Sequence, residues 1–207
     1  MKDQYKHSAK WYDGIIGPLT IGLRNIGLKM YPVQEGMTVL DIGCGTGAHL
    51  RLYQKHNCHV FGIDVSPAMI EVAGKKLGKE ALICLGSAAD MEFANDQFDL
   101  ILCVMALHEM PQQAREDVLT EAKRVLKSDG RILLIDFHPG PITKVKGVFS
   151  KIIITMAEMI AGGEHYKNYR HYVRNGGLPR LIDSIGFHIE ERKIVSGGNF
   201  GLFLLKK

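Results

Sequence analysis

This chain lacks the features that would place it in a membrane, in a secretory route or on nucleic acid. No run among its 207 residues is long and apolar enough to span a bilayer. The opening, Met1 to Lys10, is polar and has no apolar core of the signal-peptide kind, so a cytoplasmic protein is expected. Cysteine is scarce: Cys44, Cys58, Cys84 and Cys103 form no C-x-x-C pair, and reduced, buried thiols are expected. Net charge is only +4, with a sequence pI of about 8.8, and the basic residues form no concentrated stripe. A nucleic-acid partner is therefore not expected. Repeats, low-complexity tracts and linkers are also missing, which predicts one domain over 1–207. With 46% hydrophobic and 23% charged residues, the chain is long enough for a full doubly wound sheet.

What the chain does have is Val39-Leu40-Asp41-Ile42-Gly43-Cys44-Gly45-Thr46-Gly47. An apolar run ends in an acid, and glycines follow at alternate positions before a helical pattern starts at Ala48. Such glycines allow unusual backbone angles and let a ligand approach the main chain. A strand-to-helix turn often takes phosphate. Here no Lys follows the glycines, which excludes a P-loop, and the G-x-x-G tail of a dinucleotide fingerprint is missing. An acid beside this turn suits a ligand with an ammonium group and hydroxyls. The stretch resembles motif I of the class I S-adenosylmethionine-dependent methyltransferases; a structural glycine turn and an NAD site are the alternatives.

The rest of the chain alternates strand and helix signals, which predicts a parallel sheet covered on both faces. Strands are expected at 59–64, 81–85, 98–105 and 131–137. A helix capped by Ser66-Pro67 should run towards Gly78, and another should span about 112–127 and end at Ser128-Asp129-Gly130. A helix from Leu178 to Gly186 precedes strands at 189–195 and 200–205, joined by a connection so short that they must be antiparallel. A nicotinamide-binding sheet does not need that hairpin, whereas the methyltransferase sheet ends this way. The resemblance therefore covers roughly Tyr31 to Lys207. It implies an α/β, Rossmann-like seven-stranded sheet of order 3-2-1-4-5-7-6, parallel except for its last strand.

The resemblance also assigns roles. Asp41, Gly43, Cys44, Gly45 and Gly47 would hold the methionine end of S-adenosylmethionine. Asp64 would take the ribose hydroxyls, and Val65 and Met69 would pack on the adenine. Ala89-Asp90-Met91 would form the adenine site, with the Asp90 carboxylate on the exocyclic amine and the Met91 amide on a ring nitrogen. Cys103 would offer its carbonyl to the ammonium, its thiol staying in the core. Strand four is followed by Met105-Ala106-Leu107-His108-Glu109-Met110-Pro111. No Asn/Asp-Pro-Pro-Tyr box and no Pro-Cys dipeptide is present, which disfavours DNA-base methylation and favours small or lipid-like acceptors. His108, at the lip of the site, suits a general base or an acceptor-orienting group if it titrates near neutral pH. His138 ends strand five and should face the same cleft. His108, Glu109 and His138 imitate a metal site, but no further ligand has usable spacing, so no metal is expected.

Two segments lie outside the common core. Residues 1–30 carry Tyr5, His7, Trp11 and Tyr12 and a helical stripe at Leu19, Leu23, Ile26 and Met30. The insertion 139–177 carries a helical stretch, Thr143 to Ala161, with Lys144, Lys146 and Lys151. Its apolar stripe runs through Val145, Val148, Phe149, Ile152, Ile153, Met156 and Ile160, and His165, Tyr166, Tyr169, Arg170, His171 and Tyr172 follow. The stripe should either pack on the domain as a lid or rest on a membrane surface. Tyr5, Trp11, Tyr12 and the insertion should together roof the site, with Tyr12, Tyr166, Tyr169 and His171 lining the acceptor pocket. The resemblance to the ubiquinone/menaquinone biosynthesis and phospholipid N-methylating methyltransferases implies methyl transfer to a small or lipid-like acceptor. The competing readings are an NAD-dependent oxidoreductase and a non-catalytic S-adenosylmethionine-binding module.

Overall fold

The computed structural model describes residues 3, 5–6, 8–15, 17–143 and 145–207, with the side chains of Ile15, Leu19 and Lys146 set aside. His7 and Lys144, and the side chains of Leu19 and Lys146 named above, lie outside the described residues. The chain order is α1 (Ala9–Ile15), α2 (Gly17–Met30), β1 (Thr38–Ile42), α3 (Leu50–Gln54), β2 (His59–Asp64), α4 (Pro67–Leu77), β3 (Leu82–Leu85) and β4 (Phe98–Val104). After a 3-10 turn at Leu107–Glu109 come α5 (Gln112–Val125), β5 (Leu126–Phe137), α6 (Val145–Ala161), α7 (Gly163–Arg174), α8 (Gly177–Ile185), β6 (His188–Val195) and β7 (Phe200–Lys206).

The strands form one seven-stranded sheet in the order β3-β2-β1-β4-β5-β7-β6. Strands β1 to β5 pair in parallel, and β7 runs antiparallel to both β5 and β6. Strand residues alternate between two cores, as the period of two requires. Leu40, Ile42, Ile101, Cys103, Ile132 and Leu134 face α5 and α8, whose Val118, Leu119, Leu181 and Ile182 fill that side. Val39, Leu100, Leu102, Leu133 and Ile135 face the other way, onto Leu23 and Met30 of α2, Leu50 and Tyr53 of α3, and Leu77 of α4. The near-continuous apolar run of β4 therefore serves both cores, as a strand buried on both faces must.

Local signals read from the sequence hold where a cap fixes them. Ser66 accepts from the Met69 amide and caps α4, and Gly186, with φ +71°, stops α8. The boundary between α5 and β5 differs. The helix stops at Val125, Leu126 drops into the core, and Ser128-Asp129-Gly130 forms an irregularity within the strand. A side chain at Gly130 would crowd the Phe98 and Asp99 carbonyls at 3.0 Å, which is why only glycine closes that bend.

The stripe on α6 also differs from packing as a lid. Phe149, Ile153 and Ile160 are 64%, 66% and 84% exposed, and Val145, Val148, Ile152, Met156 and Met159 are exposed with them. The inner face of this helix carries Ile154 and the buried acid Glu158 instead. Among the described residues no helix is long and apolar enough to cross a membrane.

Candidate active site

Chain order reverses between β1, flanked by β2, and β4, so a crevice opens at the carboxyl ends of β1 and β4. The glycine turn sits there with its amides already engaged. Gly43 and Cys44 donate to the Ile63 carbonyl at 2.9 and 3.2 Å, Gly45 to Asp64 Oδ2 at 2.8 Å, and Gly47 to the Cys44 carbonyl at 2.9 Å. A turn whose amides are spent on the end of β2 and on itself is a poor cradle for a pyrophosphate.

The three glycines do different jobs. A Cβ on Gly43 would lie 2.8 Å from the Ala106 methyl, and one on Gly47 would lie 2.7 Å from Leu77. Both are held by packing. A Cβ on Gly45 would meet only the Met69 sulfur, at 4.0 Å, so this residue faces open space with φ +51°. Cys44 points its buried thiol under the sheet, into the core that holds Leu50, so only its backbone faces the turn.

Asp41 lies 2% exposed at the base of this space, and its Oδ1 is buried without a hydrogen-bond partner. Burial pushes its carboxyl up to about 8, against the pull of the Arg24 guanidinium. An unsatisfied buried carboxylate beside an open glycine face fits the ammonium of S-adenosylmethionine. Asp64 ends β2 with one oxygen on Gly45 and the other on the Ser66 amide at 2.9 Å, which leaves lone pairs for ribose hydroxyls. Val65 is exposed beside it, and Met69 is buried under the turn. The Cys103 thiol is buried in the core, as the sequence implied.

The adenine expectation fares less well. The Met91 amide donates to Glu121 at 3.0 Å and is not free for a ring nitrogen, and the Asp90 side chain is exposed. Gly86, bonded to the Asp64 carbonyl at 3.0 Å, leads into Ser87, whose Oγ accepts from Ala89. Ser87 therefore stands nearer the ribose acid than Asp90 does along the chain.

The second half of the site follows β4. Met105 takes φ +56°, and the 3-10 turn then buries His108 to 2% exposure. Its Nδ1 lies 2.7 Å from Asp136 Oδ1 at the end of β5, and its amide donates to Asp136 Oδ2 at 3.2 Å. Nε2 faces Glu158 Oε2 at 3.7 Å and Glu109 Oε1 at 3.9 Å. His165 Nε2 stands 2.7 Å from the same Glu158 oxygen. Burial would lower the His108 value, but Asp136, Glu109 and Glu158 outweigh it and push it up to about 9. The near-neutral titration expected from the sequence is thus displaced by carboxylates that sequence spacing did not reveal. Burial likewise raises Glu109, against the pull of His108 and His165.

Buried Arg115 fixes this turn. Its guanidinium donates to the Leu107 carbonyl and the Asn168 carbonyl, both at 2.8 Å, while Asn168 donates to the Glu109 carbonyl at 2.8 Å. Tyr169 is buried against Phe137, with ring centres 5.1 Å apart, and Tyr166 stacks on it at 6.3 Å. His171 lies elsewhere. It stands 3.4 Å from Arg115 and lines a cavity of about 300 Å³ with Tyr172 and Arg180. His138 accepts from the Gly140 amide and packs towards Gly201; among the described residues no bond joins it to His108.

The N-terminal segment ties across the crevice. Tyr5 donates to both oxygens of Glu109 at 3.1 and 2.9 Å, and Asp3 accepts from Ser66 and from the Ala68 amide at the start of α4. Thr46 donates to Asp13 at 2.6 Å, and Asp13 also pairs with Lys76. Tyr12 meets Tyr5 edge to face at 5.8 Å. Trp11, expected in the roof, is 73% exposed and turns away from it.

Comparison with known proteins agrees with the fold. Residues 40–134 match the family described as a methyltransferase domain. The chain is similar to the demethylmenaquinone methyltransferase of Tropheryma whipplei, 35% identical over 118 residues, which span 56% of this chain and 48% of that protein. The chain thus spans about half the length of that relative. It is 25% identical over 189 residues to the ubiquinone/menaquinone biosynthesis C-methyltransferase UbiE of Cupriavidus metallidurans, covering 84% of this chain and 77% of that one. In fold it is similar to a SAM-dependent methyltransferase from Aquifex aeolicus, with TM-score 0.68 and 22% identity over 98% of this chain and all (100%) of that one. Motif, sheet order and family match agree: residues 40–134 are a methyltransferase domain, set in a chain with the sheet order of the class I S-adenosylmethionine-dependent methyltransferases.

Proposed function

We propose that this protein transfers a methyl group from S-adenosylmethionine to a small, lipid-like acceptor of the quinone type. The observation that carries the cofactor is the orphaned Asp41 Oδ1 beside the open face of Gly45. The cofactor supplies a methyl carbon already activated by its sulfonium, so the chain needs no triad. Its residues place the acceptor in line and keep water out, an effect worth several kcal/mol, roughly up to 7–11 in well-oriented systems. Asp41 and Asp64 bind the ammonium and ribose. His108 keeps one proton at Nδ1 towards Asp136 and, at neutral pH, offers a second from Nε2 to an acceptor oxygen. Tyr5, Tyr12 and Tyr169 close the space above it. The engaged amides of the glycine turn give no support to an NAD-dependent oxidoreductase.

The lipid-like acceptor draws on the names of the quinone-pathway relatives and on the outward stripe of α6. Fully burying one such side chain is worth roughly 1.5–3 kcal/mol, so a stripe of this size gains from lying on a bilayer.

Calorimetry tests the first half: S-adenosylmethionine and S-adenosylhomocysteine should bind and NAD should not. Methyl incorporation into a demethylated quinol then separates an enzyme from a non-catalytic binding module. Flotation with anionic vesicles tests the second half. Wild type should float, and F149E/I153E should stay in solution while keeping cofactor affinity. Equal flotation of both would remove the membrane from the reading.

A further inference from the structure

Three side chains from distant parts of the chain meet beside the crevice, and no other described residues group in this way. His108 comes from the turn after β4, Glu158 from the inner face of α6, and His165 from the first turns of α7. One ligand atom from each lies within 4.8 Å of the others, and the side chains are 3%, 11% and 8% exposed. We propose that His108 Nε2, Glu158 and His165 Nε2 form a binding site for a divalent transition-metal ion of the zinc type.

Four features support the assignment. Two imidazoles and a carboxylate form the donor set of open zinc sites, which leave a position for water or substrate. Zinc–nitrogen and zinc–oxygen bonds of about 2.0–2.2 Å put tetrahedral ligands about 3.3–3.6 Å apart. The His108–Glu158 separation of 3.7 Å already suits that, and the 2.7 Å between Glu158 and His165 opens by a small turn of the carboxylate. Asp136 holds His108 Nδ1 at 2.7 Å, the outer-shell carboxylate that orients a metal-binding imidazole and frees its other nitrogen. Neither Asp136 nor Glu158 forms an ion pair with Lys or Arg among the described residues, while each stands 2.7 Å from an imidazole nitrogen. Glu109 stands next to the set, 3.9 Å from both His108 Nε2 and His165 Nδ1, with Tyr5 on its carboxylate.

A cation here replaces the Nε2 proton of His108 and faces the acceptor side of the crevice, where it would hold an oxygen of the acceptor. The inference goes beyond methyl transfer and stands on this cluster alone. It departs from the expectation of no metal: the further ligands come from the insertion, where no sequence spacing relates them to His108.

The test uses the full chain, freed of any affinity tag and treated with chelator. Titration with Zn²⁺ should show one tight equivalent, and Mg²⁺ at the same concentration should not compete. Co²⁺ in its place should develop the visible absorption of a low-coordinate site with nitrogen and oxygen ligands. Glu158→Gln and His165→Gln should each weaken Zn²⁺ by at least 100-fold, with melting curves recorded beside them. Should either variant fail to fold, the wild-type stoichiometry and the Co²⁺ spectrum decide alone. Substoichiometric Zn²⁺, a Co²⁺ spectrum like that of the free ion, or folded variants with unchanged affinity would overturn the site. S-adenosylmethionine affinity, measured on the same metal-free samples, reports separately on the cofactor reading.

Discussion

His108 Nδ1 and Asp136 Oδ1 stand 2.7 Å apart with both side chains closed to solvent, so a turn after β4 and the end of β5 share one charge pair. Removing one partner of a buried pair costs roughly 3–5 kcal/mol. The folded value for His108, about 9, lies above the ordinary histidine value of 6.5. Its contribution is therefore fully present below the unfolded value and is lost as pH rises through 9. In chelator-treated protein, Asp136→Asn should cost most stability near pH 6 and clearly less near pH 9.5. Urea unfolding at the two pH values measures this; equal costs would show that the pair does not hold the proton.

Asp41 predicts the opposite coupling to the cofactor. Its folded value of about 8 exceeds the ordinary aspartate value of 3.8, so its neutral form is favoured by folding. That contribution is present at low pH and is lost as pH rises towards 8, so the unliganded protein should lose stability across this interval. Asp41→Asn should flatten the loss. A bound ammonium favours the ionised form, so binding at pH 7 should release a proton and affinity should rise with pH up to about 8. Calorimetry in two buffers of different ionisation heat reads the release directly; no buffer dependence in wild type would disconnect Asp41 from the ammonium.

The glycines of the turn separate binding from folding. Gly47→Ala forces a methyl to within 2.7 Å of Leu77 at φ +71° and should cost about 1–3 kcal/mol of stability. Gly45→Val meets open space at φ +51°, so it should cost only backbone strain, about 1–2 kcal/mol, yet abolish cofactor binding. Asp64→Ala should weaken binding by more than the roughly 1.5–3 kcal/mol of a hydrogen bond to a charged group, because it also releases the Gly45 and Ser66 amides. Melting curves beside isotherms for all three variants check the ordering. A Gly47 variant that keeps full stability would mean that α4 gives way.

Local rules made the fold and half of the candidate site readable. Asp41, Gly43 to Gly47 and Asp64 fall at strand ends that announce themselves by an apolar run followed by an acid. The terminal hairpin announces itself by the Ser196-Gly197-Gly198-Asn199 cluster. The acceptor side was not readable, because it is assembled by contacts between residues far apart in the chain. His108, Asp136, Glu158 and His165 come from four different elements, and no spacing relates them. Two signals were there to be used. Asp136 is a third acid at the end of an apolar strand, beside the His138 that drew attention instead. Glu158 is the lone acid in the 17 residues of α6. The outward stripe of α6 has the same cause: periodicity shows that a helix has an apolar face but not which way that face points.

The roof gives the last prediction. Tyr5 reaches Glu109 across the crevice, Asp3 holds the start of α4, and Asp13 holds Thr46 in the glycine turn itself. These ties cross the space that Asp41, Gly45 and Asp64 line, so cofactor entry requires them to part and cofactor binding should tighten them again. Saturating S-adenosylhomocysteine should slow hydrogen exchange in 3–20 and in 145–174. Tyr5→Phe removes the bond to Glu109 and should speed cofactor association and dissociation together, leaving affinity within a few-fold. Trp11, exposed as it is, should change its fluorescence little on binding, so a tryptophan introduced as Tyr12→Trp is the better reporter. Exchange that stays unchanged in 3–20 at saturation would make the N-terminal segment a fixed wall and leave cofactor entry to the α6–α7 side.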